Sequence, residues 1–191
     1  MSTIVVVQKE GKIVIGADTL TKFGGSKEHA DYILNSSKII RVGDTYIGSV
    51  GHASWPLVLA SCFQDWEQPP AFHSVEAIFE TAQSLHQQLK ERYFLNAHRD
   101  NEDSFEDSRL YCLLANARGI FGLYSLRSVQ QYSRFYAFGS GSDYAMGAMH
   151  VLYGTSATAY EVARAALTAA AAFDGSTGDP FDLFELDALL E

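Results

Sequence analysis

Long apolar runs are missing from this 191-residue chain. None reaches the ~18 residues that a membrane-spanning helix needs. The opening residues also lack the basic region and apolar stretch of a secretory signal. Cysteine is scarce: Cys62 and Cys112 stand in unrelated contexts. That excludes a disulfide framework and a cysteine-based metal site, and it fits a reducing, cytoplasmic setting. Cations are outnumbered, 14 Lys and Arg against 23 Asp and Glu, for a formal charge of −9. Nucleic acid would demand the reverse, a basic patch. Neither nucleic acid nor a membrane is therefore expected as a partner. Several chemical signatures are missing as well. There is no P-loop, so any ATP dependence must come from a partner. Gly139-Ser-Gly-Ser-Asp-Tyr144 starts like a dinucleotide fingerprint but lacks the third Gly and a surrounding βαβ unit. The six His residues show no ligand spacing, and there is no Gly-x-Ser-x-Gly elbow. No cofactor and no metal are expected.

What is present is a globular composition, 47% hydrophobic and 19% charged, long enough for a sizeable core. No linker or internal repeat divides it, so residues 1–191 read as one domain. β-Branched runs at Thr3 to Val7 and Lys12 to Gly16 flank a Glu10-Gly11 turn, which is a hairpin signal. A polar stretch covers Thr19 to Asp31. A second hairpin pattern, Lys38 to Val42 and Thr45 to Val50, surrounds Gly43-Asp44. Helices are predicted over about Ala53 to Trp66, stopped by Pro69-Pro70, and over about Ser74 to Phe94. In the second, Val75, Ile78, Phe79, Ala82, Leu85 and Leu89 recur at helical spacing as core positions. Strand character returns at Leu110 to Ala115, from Gly119 to Leu126, and as one strand from about Val129 to Phe138. Two more helices, Asp143 to Tyr153 and the Ala-rich Thr158 to Phe173, precede a last strand from Phe181 to Leu186. Ser142 reads as a helix N-cap. Strands and helices grouped in this order argue for antiparallel sheets with helices on their outer faces. The acidic cluster Asp100 to Asp107 reads as a solvated loop, with an assembly contact as the alternative.

The chemistry starts at the first strand. Removal of Met1 leaves Ser2 with a free α-amine and a hydroxyl on one residue. The amine is a base of unperturbed pKa near ~7.7–8.0, and the hydroxyl is a nucleophile that needs such a base. Alone, this reads more simply as a processing-friendly start to a strand, because Ser in second position is very common. Asp18 alone is equally a turn acid, Lys38 an exposed edge charge, Ser140 a turn hydroxyl, and Asp174 a residue that follows a helix end.

The opening motif, a small hydroxyl residue then Thr-Ile-Val-x-Val and Gly-x-Ile-Val-Ile-x-x-Asp18, resembles the proteasome β-subunit family. These N-terminal-nucleophile hydrolases include the bacterial HslV peptidase. Lys38 before Ile39-Ile40, Ile47-Gly-Ser-Val-Gly51, Phe138-Gly-Ser-Gly-Ser-Asp-Tyr-Ala145 and Asp174-Gly-Ser-Thr-Gly178 continue the resemblance in order. It implies an α+β fold, a four-layer αββα sandwich. It also implies roles. Ser2 is the nucleophile, Lys38 the cation beside it, and Asp18 the partner that orients Lys38. Ser140, Asp174 and Thr177 gather near the α-amine, and Gly51 N–H is the oxyanion donor. Ser49 and Thr21 fall where the substrate pocket is expected. The family usually starts with Thr. Ser lacks the methyl group that restricts the rotamers, so slower turnover is implied. Thr3 becomes a nucleophile only if Ser2 is also trimmed. Asp179 stands where a second Gly is common.

The function implied is a self-compartmentalising peptidase, with polypeptide substrates, a homo-oligomer of stacked rings, and room for an ATP-dependent unfoldase as a separate partner. Two alternatives stay open at this point. One is a non-catalytic ring subunit, against which the intact Asp18 and Lys38 speak. The other is an amidohydrolase for small amides, against which the short chain without insertions speaks.

Overall fold

A computed structural model describes residues 2–64, 66, 69–97 and 104–189. Met1 and residues 100–103, the first half of the acidic cluster, lie outside the described residues, as do the readings attached to them.

The first hairpin, β1 (Thr3–Lys9) and β2 (Lys12–Asp18), forms as predicted. Glu10 and Gly11 both take positive φ at the turn, the conformation a two-residue hairpin loop requires. Both strands are central in a four-stranded antiparallel sheet ordered β10-β1-β2-β11, with β10 spanning Phe135–Gly139 and β11 spanning Phe181–Asp187. Alternation across the pleat sends successive side chains to opposite faces. Val5, Val7 and Val14 pack in a cluster with Ala163, Ala166 and Ala170. These alanines belong to α4 (Ala159–Phe173), which lies beside α3 (Ser142–Leu152). Ile4, Val6, Ile13 and Ile15 enter a second cluster with Leu113, Ala115 and Ile120. Both faces of the hairpin are thus covered, which is why it reads as unbroken apolar runs rather than as a strict alternation.

Leu113, Ala115 and Ile120 belong to the other sheet, ordered β5-β6-β7-β8-β9. Its strands are β5 (Ile39–Val42), β6 (Thr45–Val50), β7 (Tyr111–Asn116), β8 (Gly119–Leu123) and β9 (Val129–Tyr132). A third cluster joins Ile47, Cys112, Leu114 and Phe121 of this sheet to Leu59 and Cys62 of α1 (Trp55–Gln64) and to Ile78, Ala82, Leu85 and Leu89 of α2 (Val75–Arg92). Ser74 caps α2, its hydroxyl accepting from Ala77 N–H at 3.2 Å. Thr158 and Glu161 form a reciprocal capping box at α4, an arrangement that satisfies two otherwise orphaned N–H groups.

Four expectations need correction. The strand predicted from Val129 to Phe138 is two strands in two sheets, β9 against β8 and β10 against β1. The chain crosses between layers at Ser133-Arg134, because one straight strand cannot be hydrogen-bonded in both sheets. The polar stretch from Thr19 contains a small hairpin, β3 (Thr21–Phe23) with β4 (Ser26–Glu28), and a 3-10 turn at Ala30–Tyr32. Ser142 is the first residue of α3, not its cap. Gly141 occupies the cap position without a side-chain bond. Phe79 is exposed, since it lies about 100° around the helix from the buried stripe of Ile78, Ala82, Leu85 and Leu89.

Candidate active site

The site lies at one end of the first hairpin. β1 starts one residue after Ser2, and β2 ends on Asp18. Antiparallel pairing brings these ends together: Ile4 faces Ala17, and Thr3 N–H donates to Asp18 Oδ1 at 2.9 Å. β10 flanks β1 on its other side, with Thr3 opposite Gly139. There Ser140 N–H donates to the Ser2 carbonyl at 3.0 Å. Gly139 has φ +109, and a Cβ at that position would lie 1.7 Å from the Ser2 carbonyl oxygen. Only glycine allows so close a backbone approach.

Asp18 is fully buried. Lys38 Nζ donates to its Oδ1 at 2.8 Å and to the Leu20 carbonyl at 2.7 Å. The lysine side chain is only 11% exposed, so it is not the solvated edge charge of the alternative reading. Gly178 N–H donates to Asp18 Oδ2 at 3.3 Å. Burial pushes both members of the pair toward neutrality, the Asp18 carboxyl upward and the Lys38 ammonium downward, while their mutual contact opposes both shifts. The backbone N–H donors on Asp18 favour its ionised form, and the Leu20 carbonyl can only accept from Lys38.

A second hydrogen-bonded group lies across β1. Thr177 Oγ1 donates to Asp174 Oδ2 at 2.6 Å, and Ser140 Oγ donates to the same oxygen at 2.6 Å. Thr3 Oγ1 lies 2.6 Å from Thr177 Oγ1 and accepts from Gly141 N–H at 3.1 Å. With the Thr177 proton directed to the carboxylate, the Thr3 hydroxyl must donate to Thr177. The direction of the chain from Gly141 through Thr3 and Thr177 to Asp174 is thereby fixed. Burial would raise Asp174, but the bonds from Ser140, Thr177 and Ser176 N–H outweigh it and hold its carboxyl below the usual range. Asp174 also ends α4, its N–H donating to the Ala170 carbonyl at 2.8 Å.

Ser2, Thr21, Lys38, Ser49 and Gly51 line one cavity of about 340 Å³. Gly51 has φ +116 and is exposed, leaving its backbone open to the cavity rim. All nine residues singled out in the sequence thus fall in this one region, on the cavity or in the bonded groups beside Ser2. Sequence reasoning gave too little weight to Thr3, whose buried hydroxyl is committed to structural bonds, and to Gly139 and Gly141. The signal for Thr3 was its position one residue after the nucleophile candidate. The signal for the glycines was the Gly-Ser-Gly spacing itself.

This arrangement presents a primary hydroxyl just before β1, a buried ammonium on the same cavity, a carboxylate behind it, and a backbone N–H at the rim. It suits nucleophilic attack on a carbonyl.

A scan against protein-family models finds no match, and a search of the curated proteins finds none either. Solved structures do match. Thiobacillus denitrificans BPH, a bacterial proteasome homologue, is 47% identical with a TM-score of 0.93, over 99% of this chain and 100% of the other. The same protein in complex with epoxomicin is 46% identical with a TM-score of 0.92, over 98% of this chain and 100% of the other. HslV from Trypanosoma brucei is similar in fold, at 20% identity and a TM-score of 0.69 over 97% of this chain and 99% of the other.

Proposed function

The chain belongs to the proteasome β-subunit and HslV-like family, and from that premise we propose that it is a self-compartmentalising peptidase whose nucleophile is Ser2 Oγ, freed by removal of Met1. The observation that carries this reading is the buried Lys38–Asp18 pair, whose lysine lines the same cavity as Ser2. A structural subunit has no use for a buried charge pair beside its chain end, because such a pair adds little net stability. The two sheets and two helix pairs are read as a four-layer αββα sandwich in a single domain, residues 1–191.

In this mechanism the α-amine of Ser2 takes the Oγ proton, directly or through a water, as Oγ attacks the amide carbonyl. Lys38 stabilises the alkoxide as it forms and, as a neighbouring cation, keeps the α-amine neutral. Asp18 keeps the ammonium in place. Gly51 N–H stabilises the oxyanion, a contact of a kind worth roughly 2.7–4 kcal/mol. Ser140 and Asp174 orient the α-amine, and Thr177 orients Asp174. The amine then protonates the leaving nitrogen, and water hydrolyses the ester on Ser2. Binding of epoxomicin by the 46% identical relative supports a site of this class in the present chain.

Substrates are polypeptides, and the working form is a closed, stacked ring of identical subunits in the cytoplasm. An ATP-dependent unfoldase would be a separate partner. Intact-mass spectrometry with an electrophilic peptide inhibitor tests the chemistry. The expected result is a protein lighter by one Met that carries a single adduct on Ser2. An adduct on Thr3, Cys62 or Cys112 would sink the assignment of Ser2, and an unmodified chain that keeps Met1 in assembled rings would favour the inert-subunit reading.

A further inference from the structure

Resting on the peptidase reading, we propose that the cavity beside Ser2 selects an acidic, glutamate-like side chain on the substrate residue whose carbonyl is attacked. That side chain projects from the carbon next to the reacting carbonyl, so it enters the cavity that Ser2 lines. Ser49 lies in this cavity on β6 and is only 5% exposed. Its backbone N–H is used, donating to the Lys38 carbonyl at 3.2 Å. Its Oγ has no hydrogen-bond partner among the described residues. A buried hydroxyl without a partner is uncommon in folded proteins and calls for an explanation. A ligand group that completes the bond supplies one.

The rest of the lining favours an acceptor with negative charge. Ser36, Ser37 and Asn35 add polar groups, and Lys22 and Lys38 add cations. No Asp or Glu is among the described residues that line the cavity. Lys38 is committed to Asp18 and the Leu20 carbonyl, whereas Lys22 makes only a 3.5 Å contact with the Gly175 carbonyl. An apolar substrate side chain would leave the buried Ser49 hydroxyl without a partner. A basic one would bring a third cation beside two ammonium groups. A carboxylate accepts from the hydroxyl and lies near both cations, and hydrogen bonds to a charged acceptor are the stronger kind. The volume of about 340 Å³ leaves room for a side chain of glutamate length.

Peptides of one sequence that end in Glu, Leu or Arg before a coumarin amide provide the test, with kcat/KM measured on the assembled protein. Glu should exceed both others by about tenfold or more, the factor expected when a buried hydroxyl gains or loses its partner. Ser49→Ala removes the orphaned hydroxyl without adding bulk and should cut the Glu-to-Leu ratio by about tenfold. Lys22→Ala, at the more exposed side of the cavity, should also lower that ratio, and should weaken its dependence on salt. A wild-type preference for Leu or Arg, or a ratio unchanged in both variants, overturns the proposal. Labelling of Ser2 separates the two levels of inference. A labelled Ser2 with no Glu preference leaves the peptidase reading standing and removes the selectivity. No label and no cleavage of any peptide removes both.

Discussion

Replacement of Lys38 by Ala tests the proposed centre most directly. It removes the ammonium that lies 2.8 Å from Asp18 Oδ1. Two consequences follow from the geometry. In the proposed mechanism the forming alkoxide on Ser2 loses the cation assigned to it, and loss of one electrostatic contact to a developing oxyanion costs ~2.7–4 kcal/mol, or about 100–1000-fold in rate. Asp18, fully buried, keeps the N–H donors of Thr3 and Gly178 but loses its counter-charge. Breaking a buried pair typically costs about 3–5 kcal/mol. We place this site at the lower end, because the remaining donors stay and the carboxyl, already pushed upward by burial, can take up a proton. At roughly 2–4 °C per kcal/mol for a chain of this size, a loss near 3 kcal/mol lowers Tm by roughly 6–12 °C. Lys38→Arg should not rescue activity, because a planar guanidinium does not fit a point-charge position bounded by Asp18 and the Leu20 carbonyl. Asp18→Asn should also slow hydrolysis, because burial then lowers Lys38 without the carboxylate that opposes the shift. The assay is peptide hydrolysis on confirmed assemblies at a temperature well below the lowered Tm, alongside calorimetry. Hydrolysis by Lys38→Ala within about twofold of wild type, with Tm unchanged, is the outcome expected of an exposed lysine. It would refute the placement of Lys38 beside the nucleophile.

Four further outcomes are expected. Ser2→Ala should abolish peptide hydrolysis while Tm and assembly mass stay the same, as measured by fluorescence assay, calorimetry and light scattering. Gly139→Ala would put a Cβ 1.7 Å from the Ser2 carbonyl oxygen. It should therefore cost both stability and nearly all activity, whereas Gly147→Ala, with open space around it, should cost neither. The folded-state pKa of Asp174 is depressed, so its stabilisation is complete above the ordinary carboxylate value of ~3.9 and is lost as pH falls through the lower, folded value. The Tm gap between wild type and Asp174→Asn should accordingly be constant from pH 7 to 5 and close in more acid solution. Burial depresses Lys38, so hydrolysis should decline on the alkaline side at a pH below the ~10.4 of an ordinary lysine, and a profile flat through that range would contradict its role.

The periodicities of the chain determine its elements well. Unbroken β-branched runs with Gly-containing turns produce the β1–β2 and β5–β6 hairpins, and apolar residues at helical spacing produce α2 and α4. Local sequence carries these features because propensity, turn chemistry and burial all agree there. It does not carry the break between β9 and β10. Val129 to Phe138 is continuously strand-like, and only the separation of the two sheets requires the chain to step from one layer to the other at Ser133-Arg134. Phe79 illustrates the same limit, since helical spacing marks a stripe but not the width of the face that a neighbouring sheet covers. The candidate site divides in the same way. Ser2, Asp18 and Lys38 are identifiable as residues in a motif. That Lys38 is a buried partner of Asp18 rather than an edge charge depends on pairing between segments 20 residues apart in sequence. The relay from Thr3 through Thr177 to Asp174 spans 174 residues at its first step. No window of sequence can supply it, because sheet pairing and the packing of α4 set those distances. The orphaned hydroxyl of Ser49 is visible only in three dimensions, because an unmet hydrogen bond is a property of everything around an atom and not of the residue that bears it.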